Sequence, residues 1–301
     1  MGRSINNIIM RFKNIFCFGA MLLFMSAANA QTAKKFLVCG DTKVLLVDYN
    51  KSKDSIPEVI WTWDASQATD LSEDYRKKFR TMDDCKAIND GKQILVSSSS
   101  GAIAVVNLED KKVMFVSSVP NSHSIALLPD NRIAAAASTN KAGNKIMLFD
   151  IAHPEKVLYT DSLYSAHGLV WDAKRKSLFA LGYSVLREYK IVSKDALQLK
   201  NEWKIPGIGG HELQPSPDGG HLFVTEHNGT WVFNIKDQKF SKLKGLPDAE
   251  NVKSLGQIKA GQYIYTIPEE SWWTFHVKFS SPERVFAFPG LHVYKARWFT
   301  N

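Results

Sequence analysis

An all-β fold, a six-bladed β-propeller closed by its C-terminal strand, is what three features of this 301-residue chain predict. First, a polar residue leading into a short apolar strand recurs six times: DDCKAI from Asp83, SHSIAL from Ser122, AHGLVW from Ala166, GHELQP from Gly210, NVKSLG from Asn251 and HVYKAR from His292. The copies are spaced by about forty residues, the period at which one four-stranded blade follows another. Second, β-branched or aromatic runs bounded by Asp-Gly, Asn-Gly, Pro-Asp or Gly-Gly turns fill the intervals, with almost no helix signal. Third, FLVCGD, KVLLVDY and VIWTWDA supply three strands before Asp83, and HVYKARWF supplies one at the C-terminus. Joining that last strand to the first three closes the ring and hides otherwise open edges.

The elements follow in order. Residues 1–30 carry Arg3, Arg11 and Lys13 and no acid, then an apolar run from Ile15 to Met25, then Ala28-Asn29-Ala30. A basic start, a short apolar stretch and an A-x-A site mark a cleavable export signal. The expected mature chain begins at Gln31, a single propeller domain over 31–301 that is periplasmic or secreted and monomeric. The apolar run is too short to span a bilayer comfortably, so no membrane-spanning segment is expected. Blades are expected over Asp83 to Val119, His123 to Leu163, His167 to Ile205, His211 to Leu246 and Val252 to Phe288. The charged stretch from Ser66 to Arg80 reads as one short helix or a long exposed loop.

Composition narrows the function. The formal charge of +8 falls to +5 once the signal is removed, and no Lys/Arg cluster dense enough for a nucleic-acid groove occurs. Only Cys39 and Cys85 remain in the mature part, enough for one intramolecular disulfide at most. Stability must therefore come from burial, for which a 45% hydrophobic composition and eight Trp suffice. No phosphate loop, G-x-S-x-G elbow, H-E-x-x-H or CxxC pair is present.

The chemistry concentrates where the blades begin. Aligning Ile133, Leu178 and Leu222 places His123, His167 and His211 ten or eleven residues earlier, at equivalent positions that the ring brings to one axis. The same count gives Asp83 or Asp84 and Val252 or Lys253 in two further copies, and Tyr294 or Lys295 is assigned by similarity alone in the sixth, which has no following strand of its own. The inferred ring is Asp84, His123, His167, His211, Lys253 and Lys295 or Tyr294. Of the adjacent acids Asp83 and Asp84, at most one is expected to reach the channel, because neighbouring strand residues face opposite ways. Glu212 and Arg297 likewise point away from their ring neighbours unless the strand start is irregular. His227, in TEHNGTW, stands in a loop directed to the same face.

Three imidazoles and a carboxylate suit a divalent ion such as Zn, Mn or Ni, with His123, His167, His211 and Asp84 as ligands. Cations across the mouth suit an oligosaccharide or small anionic ligand. Lys86, Lys253, Lys295, Arg297, Glu212 and Trp272 are the candidate substrate-binding residues, Trp272 by stacking on sugar. His123, His167, His211 and Tyr294 are the candidate catalytic residues. Together they fit a lyase that neutralises a uronate carboxylate, removes the C5 proton and eliminates the glycosidic oxygen. The same mouth also suits a non-catalytic glycan or anion binder, or a protein-interaction scaffold.

The signatures SHSIALLPDNRIAAAAS, AHGLVWD and GGHELQPSPDGGHLFVTE resemble an uncharacterised family of exported six-bladed propellers common in Bacteroidota, a domain of unknown function. The resemblance covers essentially the whole mature chain and implies the fold more than the activity. More distantly, the His-rich axis is similar to that of oligogalacturonate lyases, which implies a His-bound metal. Those enzymes have seven blades, so their site residues do not transfer one by one. Trp63-Asp64 and Trp171-Asp172 follow no Gly-His pair, and the repeat order of WD40 scaffolds is absent.

Overall fold

A computed structural model of the chain describes Met1 and residues 34–246 and 249–300. The segment read as an export signal lies outside the described residues. Among those described, no helix is long and apolar enough to cross a membrane.

Six four-stranded antiparallel sheets form the ring, as the repeat predicts. Blade one is composite: Val293–Trp298 is its innermost strand, followed outward by Lys35–Gly40, Lys43–Lys53 and Ile56–Asp64. The innermost strands of blades two to six are Met82–Ile88, Ser122–Leu128, Gly168–Asp172, Glu212–Pro215 and Ser254–Gln257. Each packs against the next around the axis, and the last packs against the first. Tight turns connect the strands where the sequence places its turn residues. Asp130 and Asn131 both adopt positive φ, 59° and 56°, the backbone that a two-residue hairpin requires.

The core is divided. Apolar residues collect in six clusters, each filling the seam between two neighbouring blades. The seam between blades six and one is the most aromatic: Phe36 lies 5.1 Å from Phe279, 5.7 Å from Phe286 and 6.3 Å from Trp298, ring centre to ring centre. Arg284 caps it, 4.3 Å from the Phe286 ring, while donating to the Tyr49 carbonyl at 2.9 Å. Aromatic pairs add about 0.5–1.5 kcal/mol each beyond their burial. This seam therefore holds the closing strand by packing as well as by its backbone ladder.

The charged stretch after blade one contains a 3₁₀ turn, Ala65–Gln67, and a short helix, Glu73–Lys77, capped by Ser72. Leu71 and Phe79 are buried in the seam between blades one and two, with Phe79 5.9 Å from Trp63. The segment is anchored at both ends of the helix, so it lies against the seam. Cys39 and Cys85 are free thiols buried in that same seam.

Candidate functional site

Register places the axial side chains in three layers. Asp84, Ser124, Gly168, Glu212, Ser254 and Lys295 pair with Ser97, Ala136, Leu181, Thr225, Thr266 and Cys39, and are the equivalent residues of a middle layer. Two residues further along each strand come Lys86, Ala126, Val170, Gln214, Gly256 and Arg297, again at matched register. Above the middle layer stand Asp83, His123, His167, His211, Lys253 and Tyr294.

Two neighbouring residues face one axis because every innermost strand starts irregularly. In blades two, three and one the register slips at Met82/Asp84, Ser122/Ser124 and Cys39/Gly40, so Asp83, His123 and Tyr294 are extra residues in their ladders. In blades four, five and six, His167, His211 and Lys253 donate their backbone N–H to Leu181, Thr225 and Thr266, which already pair with the following residue. Two residues opposite one is a β-bulge, and it turns the extra side chain inward. The expectation that only one of Asp83 and Asp84 reaches the channel is thus corrected: both do, on different layers. Asp83 takes the place beside the histidines that the sequence assigned to Asp84, and Tyr294 shares that layer while Lys295 lies below it.

The upper layer is a chain of touching rings. His123 stacks on His167 at 4.3 Å, His167 meets His211 edge-on at 5.3 Å, and Tyr294 lies 5.7 Å from His123. Lys253 donates to His211 Nε2 at 2.8 Å. His167 Nδ1 donates to the Ser165 carbonyl at 2.9 Å, which leaves its Nε2 unprotonated. His123 Nε2 donates to Asn121 at 3.1 Å, so its bare Nδ1 faces the Asp83 carboxyl at 3.3 Å.

Burial governs the protonation of this layer. It pushes His167 down to about 3, and His123 and His211 well below the ordinary imidazole range, with neighbouring rings and lysines acting in the same direction. It pushes Asp83 up to about 7, although the Ser99 backbone and Lys295 favour the carboxylate. Burial and Lys295 bring Lys253 down to about 8. Burial and the Asp83 carboxyl push the Tyr294 phenol up. At neutral pH the layer therefore holds uncharged imidazoles, one ammonium, one phenol and a carboxyl group close to its midpoint.

The layers beneath form a buried ionic plug. Arg297 donates from Nε to Asp84 at 2.6 Å and from Nη2 to Glu212 at 3.1 Å, while Lys295 lies 3.6 Å from the other Glu212 oxygen. Lys86 donates to Ser124, to the Ile125 and Leu169 carbonyls at 2.9 and 2.8 Å, and lies 3.2 Å from Asp84. Burial alone would raise Asp84, but Arg297, Lys86 and Lys295 hold it well below the usual carboxylate range. Burial lowers Lys86 to about 8 against the pull of Asp84. Asp84, Glu212 and Lys295 have no exposed surface.

Of the sequence-predicted residues, His123, His167, His211, Lys253 and Tyr294 come together on the upper layer. Asp84, Lys86, Glu212, Lys295 and Arg297 come together in the plug below it. Among the described residues, no set of three or more His, Cys, Asp or Glu is arranged to hold a metal ion. His123 and His167 meet face to face, and His167 and His211 edge to face.

Two residues of the upper layer, Asp83 and Tyr294, line a recess on the face where the innermost strands begin. A cavity of about 120 Å³ there is lined by Asp83, Tyr294, Trp272, Trp273, His292 and Asp41 among others. Trp272 is 55% exposed and meets Trp273 at 4.9 Å. Beside the upper layer, His227 lies 5.2 Å from His211 and 6.1 Å from Tyr183, which meets the exposed Tyr164. Gly209, at φ +72°, makes room for that arrangement, since a Cβ there would sit 2.1 Å from the His227 ring. Sequence reasoning weighs Asp83 against Asp84 and sets Asp84 in the ring, whereas Asp83 is the one beside the histidines. The DDCK start signalled it, but the bulge that turns it inward has no residue signature of its own.

These features define a six-bladed propeller with a closed axis and a polar recess on one face. Within that class, the chain belongs to the DUF6528 family of unknown function, which residues 42–301 match. No curated protein matches the chain. Among solved structures, a chain of a nidogen/laminin complex is similar at a TM-score of 0.61 and 15% identity, covering 88% of this chain and 98% of that one. A chain of a mitotic checkpoint complex is similar at 0.55 and 13% identity, covering 84% and 72%. At such identities the likeness is one of fold.

Proposed function

We propose that the histidine-face recess binds uronic-acid-containing oligosaccharide and cleaves it by β-elimination. The observation that carries this reading is the pairing of a carboxyl group near its midpoint, Asp83, with the Tyr294 phenol and an indole-lined cavity. An acid/base group that titrates near 7 is what proton transfer at neutral pH requires. Lys253, on the same layer, is the cation available to a substrate carboxylate, because Lys295, Lys86 and Arg297 are engaged in the plug.

In this reading the substrate carboxylate faces Lys253, which stabilises the enolate-like charge as the C5 proton leaves. Ionised Asp83 takes that proton. The C4–O bond then breaks, the C4–C5 double bond forms, and the phenol of Tyr294 protonates the departing glycosidic oxygen. Uncharged His123, whose Nδ1 lies 3.3 Å from the Asp83 carboxyl, does not compete for the substrate anion and can accept a hydrogen bond from Asp83 once Asp83 has taken the proton. Trp272 and Tyr164 offer exposed rings for sugar faces.

The test is the ultraviolet absorbance of unsaturated uronides when the purified protein meets oligogalacturonate, alginate and glycosaminoglycan oligomers, with and without added Zn, Mn or Ni. Product that disappears in Asp83→Asn and Lys253→Met supports elimination in this recess. Product that forms only with metal and is lost in His167→Ala would shift the chemistry to a metal held by the histidines. Calorimetric binding without product would make the recess a glycan-binding site, and neither binding nor product would remove carbohydrate from the reading.

A further inference from the structure

The opposite face opens into a larger cavity, of about 540 Å³, that the uronide reading does not use. It begins below the ionic plug and shares no lining residue with the small cavity above. Its walls are largely apolar, with Ala126, Val170, Trp171 and Ile258 among them. Its charged lining residues are Lys86, Lys259 and Arg297, and among the described residues no Asp or Glu lines it.

Charge and hydrogen bonding are both incomplete at its inner end. The plug contains two carboxylates, Asp84 and Glu212, against three cations, Lys86, Lys295 and Arg297, so one formal positive charge is uncompensated in a buried site. Arg297 uses Nε and Nη2 within the plug, but its buried Nη1 has no hydrogen-bond partner. The buried indole N–H of Trp298, another lining residue, also lacks one. A buried cation with an orphaned donor is costly, and a ligand anion relieves both deficits at once.

We infer that this cavity is a second ligand site, for a small organic carboxylate with an apolar body. The carboxylate meets Arg297 at the inner end, and the body lies between the apolar walls toward Trp171. Fully hydrated inorganic anions satisfy the charge but leave the apolar walls wet, so they bind more weakly. Such a site lies on the far side of the plug from the histidines and is independent of any turnover in the recess.

The probe is 4-phenylbutyrate, titrated calorimetrically into the whole protein beside its neutral counterpart 4-phenylbutanol and inorganic phosphate. The expected result is one saturable site for the carboxylate, with the alcohol and phosphate each weaker by about tenfold or more. Gly256→Leu supplies an occluding variant: Gly256 lines the cavity, and its Cβ would meet nothing nearer than the Ile264 side chain at 3.5 Å. Carboxylate binding is expected to weaken by about tenfold or more in this variant, while its thermal transition stays cooperative. No saturable carboxylate binding, equal binding of the alcohol, tighter binding of phosphate, or unchanged affinity in Gly256→Leu would each overturn the assignment. Uronide turnover in the recess persists in Gly256→Leu, so failure here is separable from failure there.

Discussion

Asp83 and the histidines respond to pH in opposite directions. An Asp raised to about 7 on folding keeps its proton where the unfolded chain has lost it, so between about pH 4 and 7 its ionisation removes stability as pH rises. A His lowered to about 3 stays neutral where the unfolded chain is charged, so His167 adds stability as pH rises from about 3 to 6.5. His123 and His211 act in the same sense as His167. Asp83→Asn removes only the opposing contribution. Melting curves of the variant and the wild type across pH 4–8 should therefore diverge in the variant's favour as pH rises to about 7 and run parallel above it. A difference that is constant across this range would show that Asp83 is not raised. In the plug, Arg297→Met leaves Asp84 and Glu212 short of a partner, and breaking such a buried pair costs about 3–5 kcal/mol. Urea titration measures the loss; a change below about 1 kcal/mol would mean that water or rearrangement had replaced the guanidinium.

The working element is the bulged first turn of each innermost strand. Polar-then-apolar strand starts at a forty-residue period were legible, and with them the blade number, the composite first blade and the grouping of His123, His167 and His211. The extra residue in each ladder was not, because a bulge follows from how two strands pair and needs no special residue type at these positions. Strict alternation sends Asp83 and Tyr294 away from the axis; the slip in register returns them. For the same reason the sequence places Asp84 and Lys295 in the histidine ring, although they lie one layer below it, and turns Glu212 and Arg297 away from the axis, although both join the plug. Gly168 shows how tightly the layers are stacked, since a Cβ there would lie 2.5 Å from Leu213 Cβ. Gly168→Ala should destabilise by about 1–3 kcal/mol through overpacking. Equal stability by denaturant titration would mean that blades four and five can separate at the axis.

On the scale of the whole molecule, closure and chemistry depend on the same strand. Val293–Trp298 completes blade one, fills the aromatic seam with Trp298, and carries Tyr294, Lys295 and Arg297 into the three axial layers. Truncation after Leu291 should abolish the cooperative thermal transition, because it exposes the edge of Lys35–Gly40 and removes two of the plug's three cations together. A truncated chain that still melts cooperatively would show that five blades and a three-stranded remnant are self-sufficient. Because the closing strand follows all the other strands in the chain, a growing polypeptide holds five complete blades and a three-stranded sixth before either the recess or the plug is complete. The axial layers are thus assembled last, when Val293–Trp298 emerges and docks, and a chain that stops before this strand lacks Tyr294, Lys295 and Arg297 together.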